Sequence, residues 1–279
     1  RRTSSAASDV YKRQYISRAS SESKRSSGAG KSKHTLIRPN KVLNFSIALF
    51  CSSIFAITFI FPLGQLALWS SRNLTNNIPL DLFLNSFYVG FIVALVASFI
   101  ALILSLGSFR NPNKLIFNLS TIGYAIPGSV LAVALLLVFN FYFGISITML
   151  GIYGLLLCLL IRFITPLIRY LDAALLNMPA ETISAAMIFS TNSFRTFKKI
   201  YLPSLYTPLL FGFLIVFIEV IKEQPATLLL RPVGFDTLSS KIYNFTSEGQ
   251  WELASTPSIA MIFLSLILVF ILNNIIDNE

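Results

Sequence analysis

The sequence predicts an all-α membrane protein with about six transmembrane helices, and three observations support this. First, 54% of its 279 residues are apolar and only 12% are charged, with a mean hydropathy of +0.71; soluble domains carry about 25% charged residues. Second, the apolar residues gather in charge-free runs long enough to cross about 30 Å of hydrocarbon as helices. Third, Lys and Arg concentrate in alternate loops between these runs, the asymmetry that sets membrane orientation.

The N-terminal tail carries almost all of the net charge. Residues 1–42 contain eleven of the 22 Lys and Arg residues and two of the 12 acidic ones, so they hold +9 of the net +10. Positive charge beside a membrane span is expected on the cytoplasmic side, so we do not expect nucleic-acid binding. Residues 4–14, SSAASDVYKRQ, match the in-frame translation of a common transposon-based sequencing adapter. We therefore interpret 1–14 as an artefact and 15–42 as a basic cytoplasmic linker.

Two features could suggest cofactor or metal sites, and neither is sufficient. The segment GAGKS at 28–32 resembles half of a nucleotide-binding loop, but the earlier glycine and the preceding strand that the motif needs are missing. Cys51 and Cys158 lie separately in apolar runs, and His34 has no second ligand at metal-binding spacing. The sequence thus predicts no cofactor and no metal bound by this chain.

The transmembrane domain is expected to cover residues 43–279. Its charge-free runs are Leu43–Ser71, Leu82–Phe109, two runs within Leu115–Ile161 that divide near Phe143–Ser146, one that begins at Tyr201–Ile218, and Leu253–Ile276. With the basic tail inside, the same rule places further basic residues inside: Arg110, Lys114, Arg162, Arg169, Arg195, Lys198 and Lys199. Both termini are then cytoplasmic.

A stretch of about residues 177–203 between the fourth and fifth spans is too amphipathic for a simple loop. Pro179 and Glu181 suit the first turn of a helix, where proline is tolerated and a carboxylate meets the positive end of the dipole. Ala185 and Ala186 would let that helix approach a partner surface closely. The alternative is an amphipathic helix that only lies at the membrane interface.

The spacing of this stretch resembles the signature of permeases of binding-protein-dependent ABC importers: Glu-Ala-Ala, three residues, Gly, nine residues, Ile-x-Leu-Pro. Five of the seven signature positions match, and the spacing is kept; the seven positions are Ser184, Ala185, Ala186, Ser190, Ile200, Leu202 and Pro203. Ser184 and Ser190 depart from the Glu and Gly of the signature, and Glu181, one turn earlier, could replace the missing carboxylate. The resemblance implies a type I permease fold whose cytoplasmic coupling helix contacts a dimer of ATPase subunits. ATP would then act through that partner, and this chain would not be an enzyme.

Three charged residues lie near the far end of the fifth span. Glu219, Lys222 and Glu223 have the i, i+3, i+4 spacing of one helix face, and charge at membrane depth costs at least about 2.5–3.5 kcal/mol. We therefore expect Glu219 to face the bundle interior. Two interpretations stay open, a structural Glu219–Lys222 pair and a lining of the translocation path. Pro225 should break this helix, because proline lacks the backbone N–H that would continue the helical hydrogen bonds.

A second segment, YAIPGSV at 124–130, adds Pro127 and Gly128 as candidate path residues. Such a pair should bend the third span or let another helix approach it closely. Together with EVIKEQPATLLLRPVGFD at 219–236, this chain resembles the ferric-iron type of these permeases, often a fused pair of six-span halves. The resemblance implies the C-terminal half of such a pair in a bacterial inner membrane. Its partners would be a substrate-binding protein, the other permease half and the lipid bilayer. Carboxylates suit ferric iron, a hard cation that prefers oxygen ligands.

Other functions remain open on the sequence. Within the same class, the chain could be a permease for thiamine, sulfate or polyamine. A channel outside the ABC class has no reason to keep the Ala-Ala and Ile-x-Leu-Pro spacing, and an intramembrane enzyme should show paired catalytic residues at membrane depth, which we do not find.

Overall fold

The regular elements of the computed structural model are all helical over the residues it describes, which are 40–72, 80–110, 119–144, 147–179, 181–182 and 193–277. The helices are α1 Lys41–Phe55, α2 Phe61–Arg72, α3 Leu80–Arg110, α4 Gly128–Phe143, α5 Ile147–Leu176, α6 Ser193–Thr196, α7 Leu202–Lys222, α8 Pro225–Leu230, α9 Leu238–Ser247 and α10 Trp251–Asp277. Single π-helical turns, Ala56–Ile60 and Phe197–Tyr201, join α1 to α2 and α6 to α7.

Five of the described helical stretches are long and apolar enough to cross a membrane. They are Lys41–Arg72, Leu80–Phe109, Gly151–Leu176, Phe197–Lys222 and Trp251–Asn274. These stretches confirm the predicted all-α membrane architecture and match five of the six predicted spans.

The third predicted span is different. Its helix, α4, has 16 residues, fewer than the about 20 that a perpendicular crossing needs. Of the two predicted alternatives, a bend at Pro127 is not found: Pro127 is the residue before the first turn, with ψ of 139°, and a 3₁₀ turn, Gly123–Ala125, precedes it. Proline fixes its own φ and lacks an N–H, so it is well suited to begin a helix.

The core is formed by α3, α5 and α7, which pack against one another. Ala94, Ala97 and Ala101 of α3 are fully buried, and small residues of this kind let membrane helices approach closely. Gly212 of α7 shows how close the approach is, because a Cβ added there would lie 2.1 Å from Leu167 Cδ1 of α5.

Helix α5 is longer than predicted. The sequence placed Arg162 in a cytoplasmic segment after the fourth span, but the helix continues through Arg162 to Leu176. The reason is that the apolar face resumes directly after the charge: Phe163, Ile164 and Leu167 are all buried. A single arginine in an apolar run does not end a membrane helix when its charge has a partner inside the bundle.

The first and last spans are neighbours. Helix α2 packs along α10, which also contacts α7 and α9. At this contact Ser70 Oγ lies 3.5 Å from Thr256 Oγ1, and Arg72 Nη1 lies 3.9 Å from Glu252 Oε1. Helix α2, the second part of the first span, is thus packed against the last span.

Candidate functional site

The fifth span is interrupted at Glu223, as Pro225 predicted. Helix α7 ends at Lys222, and α8 begins at Pro225. Glu223 has an extended backbone with ψ of 116°, and its carbonyl oxygen accepts hydrogen bonds from Thr227 Oγ1 at 2.8 Å and Ser239 Oγ at 3.1 Å. The break therefore has hydroxyl partners for a carbonyl that a continuous helix would have satisfied.

Glu223 leaves the helix face that the sequence assigned to it. Its side chain turns toward α5, where Oε2 lies 3.5 Å from Arg162 Nε. The two side chains are 9% and 21% exposed, respectively, so this is a mostly buried ion pair. The contact is electrostatic and lacks hydrogen-bond geometry, since the buried Arg162 Nε has no hydrogen-bond acceptor among the described atoms. Glu223 therefore does not share a helix face with Glu219 and Lys222, as their spacing had predicted, because α7 ends at Lys222.

The Arg162 guanidinium also contacts the N-terminal end of α4. Arg162 Nη1 donates a 2.8 Å hydrogen bond to the carbonyl oxygen of Ile126, the residue before Pro127. Gly128 follows at the first turn of α4, and a Cβ there would lie 2.1 Å from Glu223 Oε1 and 3.0 Å from Arg162 Nη1. Gly128 is therefore required by the charged pair packed against it. Of the five path residues predicted from sequence, Pro127, Gly128 and Glu223 do come together.

Glu219 and Lys222 form a separate pair. Lys222 Nζ lies 2.8 Å from Glu219 Oε1, and their side chains are 47% and 32% exposed, respectively. The depth count predicted that Glu219 would face the bundle interior; in the described chain taken alone its side chain is partly exposed. An (i, i+3) pair with this exposure contributes less than about 1 kcal/mol to stability, so it neutralises charge more than it holds the fold.

A polar cluster fixes the loop between α8 and α9. Arg231 and Asp236 form an ion pair across this loop. The Ser240 hydroxyl accepts from Arg231 Nη1 and donates to Asp236 Oδ1, both at 3.3 Å. Thr237 and Ser240 form a reciprocal capping box at the start of α9. The turn so held presents Val233, which is 97% exposed, at its tip.

This loop is also tied to α3. Asn85 Nδ2 donates to the Asp236 carbonyl oxygen at 2.9 Å, and the Leu238 N–H donates to Ser86 Oγ at 2.8 Å. Helix α9 then packs on α3 and α10. Two long-range hydrogen bonds and an ion pair therefore hold the 231–237 loop in one conformation on the body of the protein.

Only part of the predicted coupling segment is described. Ser184, Ala185, Ala186 and Ser190 lie outside the described residues, whereas Glu181 is exposed at the start of a helical turn. Ile200 lies in the π-helical turn that leads into α7 and packs against the core, and Leu202 and Pro203 begin α7. The Ile-x-Leu-Pro positions thus mark the entry of the fifth span.

Sequence reasoning missed Arg162 as a site residue. The positive-inside rule assigned it to a loop, although the apolar run FITPLI that follows it was a signal that the membrane helix continued. It also missed the Arg231–Asp236 pair. No group of three or more His, Cys, Asp and Glu side chains that could hold a metal occurs within the residues described.

Comparison with known proteins adds the family. Residues 94–278 match the family described as binding-protein-dependent transport system inner membrane component. Over 236 residues the chain is 27% identical to the "Fe(3+)-transport system permease protein FbpB 2" of Haemophilus influenzae, which covers 80% of this chain and 46% of that protein. It is also 27% identical, over 137 residues, to the "Putative ferric transport system permease protein FbpB 1" of the same bacterium, covering 49% of this chain and 22% of that protein.

The chain thus spans about half the length of the first of these relatives. The family match covers most of the chain, from the middle of α3 to the end of α10, and includes the charged junction and the coupling segment. This chain belongs to the family of binding-protein-dependent transport system inner membrane components.

Proposed function

We propose that this chain is the transmembrane permease subunit of an ATP-driven ABC importer for ferric iron, delivered by a periplasmic or extracellular binding protein. The observation that carries the proposal is the family match over residues 94–278, with the likeness to an Fe(3+)-transport permease over 80% of the chain. The chain would act as one six-span half beside another permease half, in a bacterial inner membrane with both termini cytoplasmic.

Energy would enter through the coupling segment. Glu181, Ser184, Ala185, Ala186 and Ser190 would contact a dimer of ATPase subunits, and the Ile200, Leu202 and Pro203 turn would carry the movement into α7. The continuous helical path from α6 through the π-helical turn into α7 supports this role, because a rigid helix transmits displacement over its whole length. ATP would be bound and hydrolysed by the partner, and this chain would hold no cofactor.

The binding protein would dock at the 231–237 loop. The loop is fixed by the Arg231–Asp236 pair and presents the exposed Val233 at its tip. A preorganised loop loses little conformational entropy on binding, which favours a transient but specific contact.

Iron would pass without forming a stable complex. In the described chain Glu219 is paired with Lys222, and Glu223 with Arg162, so each carboxylate at this end of the fifth span has a cation beside it. This suits a path that must release its substrate, because conduction requires contacts weak enough for the ion to leave.

A permease for thiamine, sulfate or polyamine is the second candidate, since the same family fold serves each. The experiment is uptake into proteoliposomes that contain this chain, its second permease half and the ATPase, with purified binding proteins of each type added in turn. We expect ATP-dependent uptake of ferric iron with an iron-binding protein. A matched preparation with an ATPase unable to hydrolyse ATP provides the control.

The outcome that contradicts the substrate is ATP-dependent uptake of thiamine, sulfate or polyamine with no uptake of iron. The outcome that contradicts the transporter itself is iron uptake at the same rate with the inactive ATPase, because that would indicate a passive channel.

A further inference from the structure

Three helix ends meet at Arg162. The guanidinium hydrogen-bonds the Ile126 carbonyl before α4 and pairs with Glu223 at the break between α7 and α8, while Arg162 itself lies in the middle of α5. Helix α8 is six residues long and packs on both α4 and α5. Residues at the ends of helices are where hinge movements are usually absorbed. The Arg162 side chain therefore contacts two of these three ends, the start of α4 and the end of α7.

We propose that Arg162 is a positioning residue that clamps this junction closed, and that each transport cycle opens the clamp by separating Arg162 from Glu223. The proposal rests on the proposed transport function and adds to it the contact that must break. Three contacts keep the junction closed. They are the Arg162–Glu223 ion pair, the hydrogen bond from Arg162 to the Ile126 carbonyl oxygen, and the packing of the Glu223 carboxylate against Gly128.

The chemistry of arginine suits this task. A planar guanidinium can donate to the Ile126 carbonyl with one nitrogen while another faces the Glu223 carboxylate, whereas a lysine ammonium is a single point charge. Because Gly128 has no side chain, the Glu223 carboxylate can lie against the first turn of α4. Closure by an ion pair is also reversible, since water that enters the junction can solvate both partners once they separate.

Cys158 provides a natural reporter of opening. It lies one helical turn before Arg162 on α5 and is fully buried, while the other cysteine, Cys51, is exposed. In a Cys51→Ser background, alkylation of this chain by N-ethylmaleimide measures how often the junction beside Cys158 opens. The measurement is made on the assembled transporter in proteoliposomes, with labelled chains separated on a gel.

With Arg162 in place we expect slow labelling at rest and faster labelling when ATP, binding protein and iron are supplied. Arg162→Lys and Glu223→Gln should label quickly even at rest. Minor conformations are typically populated at about 0.1–10%, so a variant with open and closed forms equally populated labels at least about fivefold faster. The same variants should hydrolyse more ATP for each iron transported, because opening is no longer tied to the cycle.

A matched control separates opening from general loosening. Leu264→Ala removes a buried side chain of α10 and should lower the melting temperature without faster labelling of Cys158. The proposal is overturned if Leu264→Ala, at equal loss of melting temperature, labels as fast as Arg162→Lys. It is also overturned if Arg162→Lys labels at the parental rate at rest and keeps the parental ratio of ATP to iron.

The two proposals fail in different ways. Labelling at rest requires neither substrate nor ATP. If Arg162→Lys raises it while no variant transports iron, the clamp stands and the iron assignment falls. If the parental protein transports iron and the labelling rates are alike, the clamp falls and the transport function stands.

Discussion

Gly128→Ala should destabilise the protein although it adds only one methyl group. The new Cβ would lie 2.1 Å from Glu223 Oε1 and 3.2 Å from Glu223 Cδ. Nonbonded carbon contacts are optimal near 3.5–4.0 Å, so the carboxylate has to retreat by roughly 1 Å or more. Its retreat is opposed by the ion pair with Arg162 and by the Ala226 N–H, which donates to Oε1 at 3.5 Å.

The magnitude follows from two opposing effects. Overpacking a tight site costs about 1–3 kcal/mol, and a fully broken buried ion pair would add to this, though by less than usual because Arg162 is 21% exposed. Alanine is favoured over glycine within a helix by up to about 1 kcal/mol, an advantage that is weaker in the first turn of α4. We therefore expect a net loss of about 1–3 kcal/mol of unfolding free energy.

The control is Gly107→Ala in α3, where an added Cβ would meet no atom within 4 Å. That variant should be neutral or stabilised by up to about 1 kcal/mol, since only the helix preference applies. For folded chains near this size, 1 kcal/mol moves the melting temperature by about 2–4 °C. Thermal melts of the two detergent-purified variants should therefore differ clearly, with Gly128→Ala lower. Equal melting temperatures would refute the close approach of Glu223 to α4.

Three further predictions test other parts of the chain. Ala186→Arg should prevent co-purification of the ATPase without loss of membrane insertion, because a large charge would block close docking; retained co-purification would contradict the coupling role. Glu219→Gln should change the melting temperature little, since the exposed pair with Lys222 contributes less than about 1 kcal/mol. If Glu219 lines the translocation path, the same variant should take up less iron, and uptake at the parental rate would contradict that role. Thr237→Ala should lower the free energy of unfolding by about 1 kcal/mol, because the capping box of α9 is lost. Its melting temperature should be lower than that of the control Thr246→Ala, and equal melting temperatures would contradict a stabilising cap.

The long spans could be predicted because hydrophobic length is a property of the sequence alone. The predicted Leu82–Phe109 and Leu253–Ile276 fall within two residues of the ends of α3 and α10. Pro225 also predicted the break in the fifth span, because proline lacks the N–H that continues the helical hydrogen bonds. Proline alone does not decide a break, since Pro166, Pro208 and Pro257 lie inside α5, α7 and α10. The lengths of the two spans depend on local chemistry alone, so no knowledge of tertiary contacts was needed for them.

The charged junction could not be predicted because it depends on which helices meet. Arg162 and Glu223 are 61 residues apart in sequence, and neither their spacing nor their neighbours indicates that they form a pair. The positive-inside rule assumes that an arginine lies in solvent beside the end of a span. That assumption fails when a carboxylate from another helix neutralises the arginine inside the bundle. The choice between a bend and a close approach at Pro127 and Gly128 could not be made from the sequence for a similar reason, because proline permits both a bend and a start of a helix.

The pairing of α2 with α10 has a consequence for biosynthesis. Ser70 and Thr256 are separated by 186 residues, and ribosomes add about 5–20 residues per second. The first span therefore leaves the ribosome roughly 10–40 s before its partner exists. During that interval it must reside in lipid or be shielded by a chaperone of the insertion machinery, and truncation anywhere before α10 would leave it without its native neighbour.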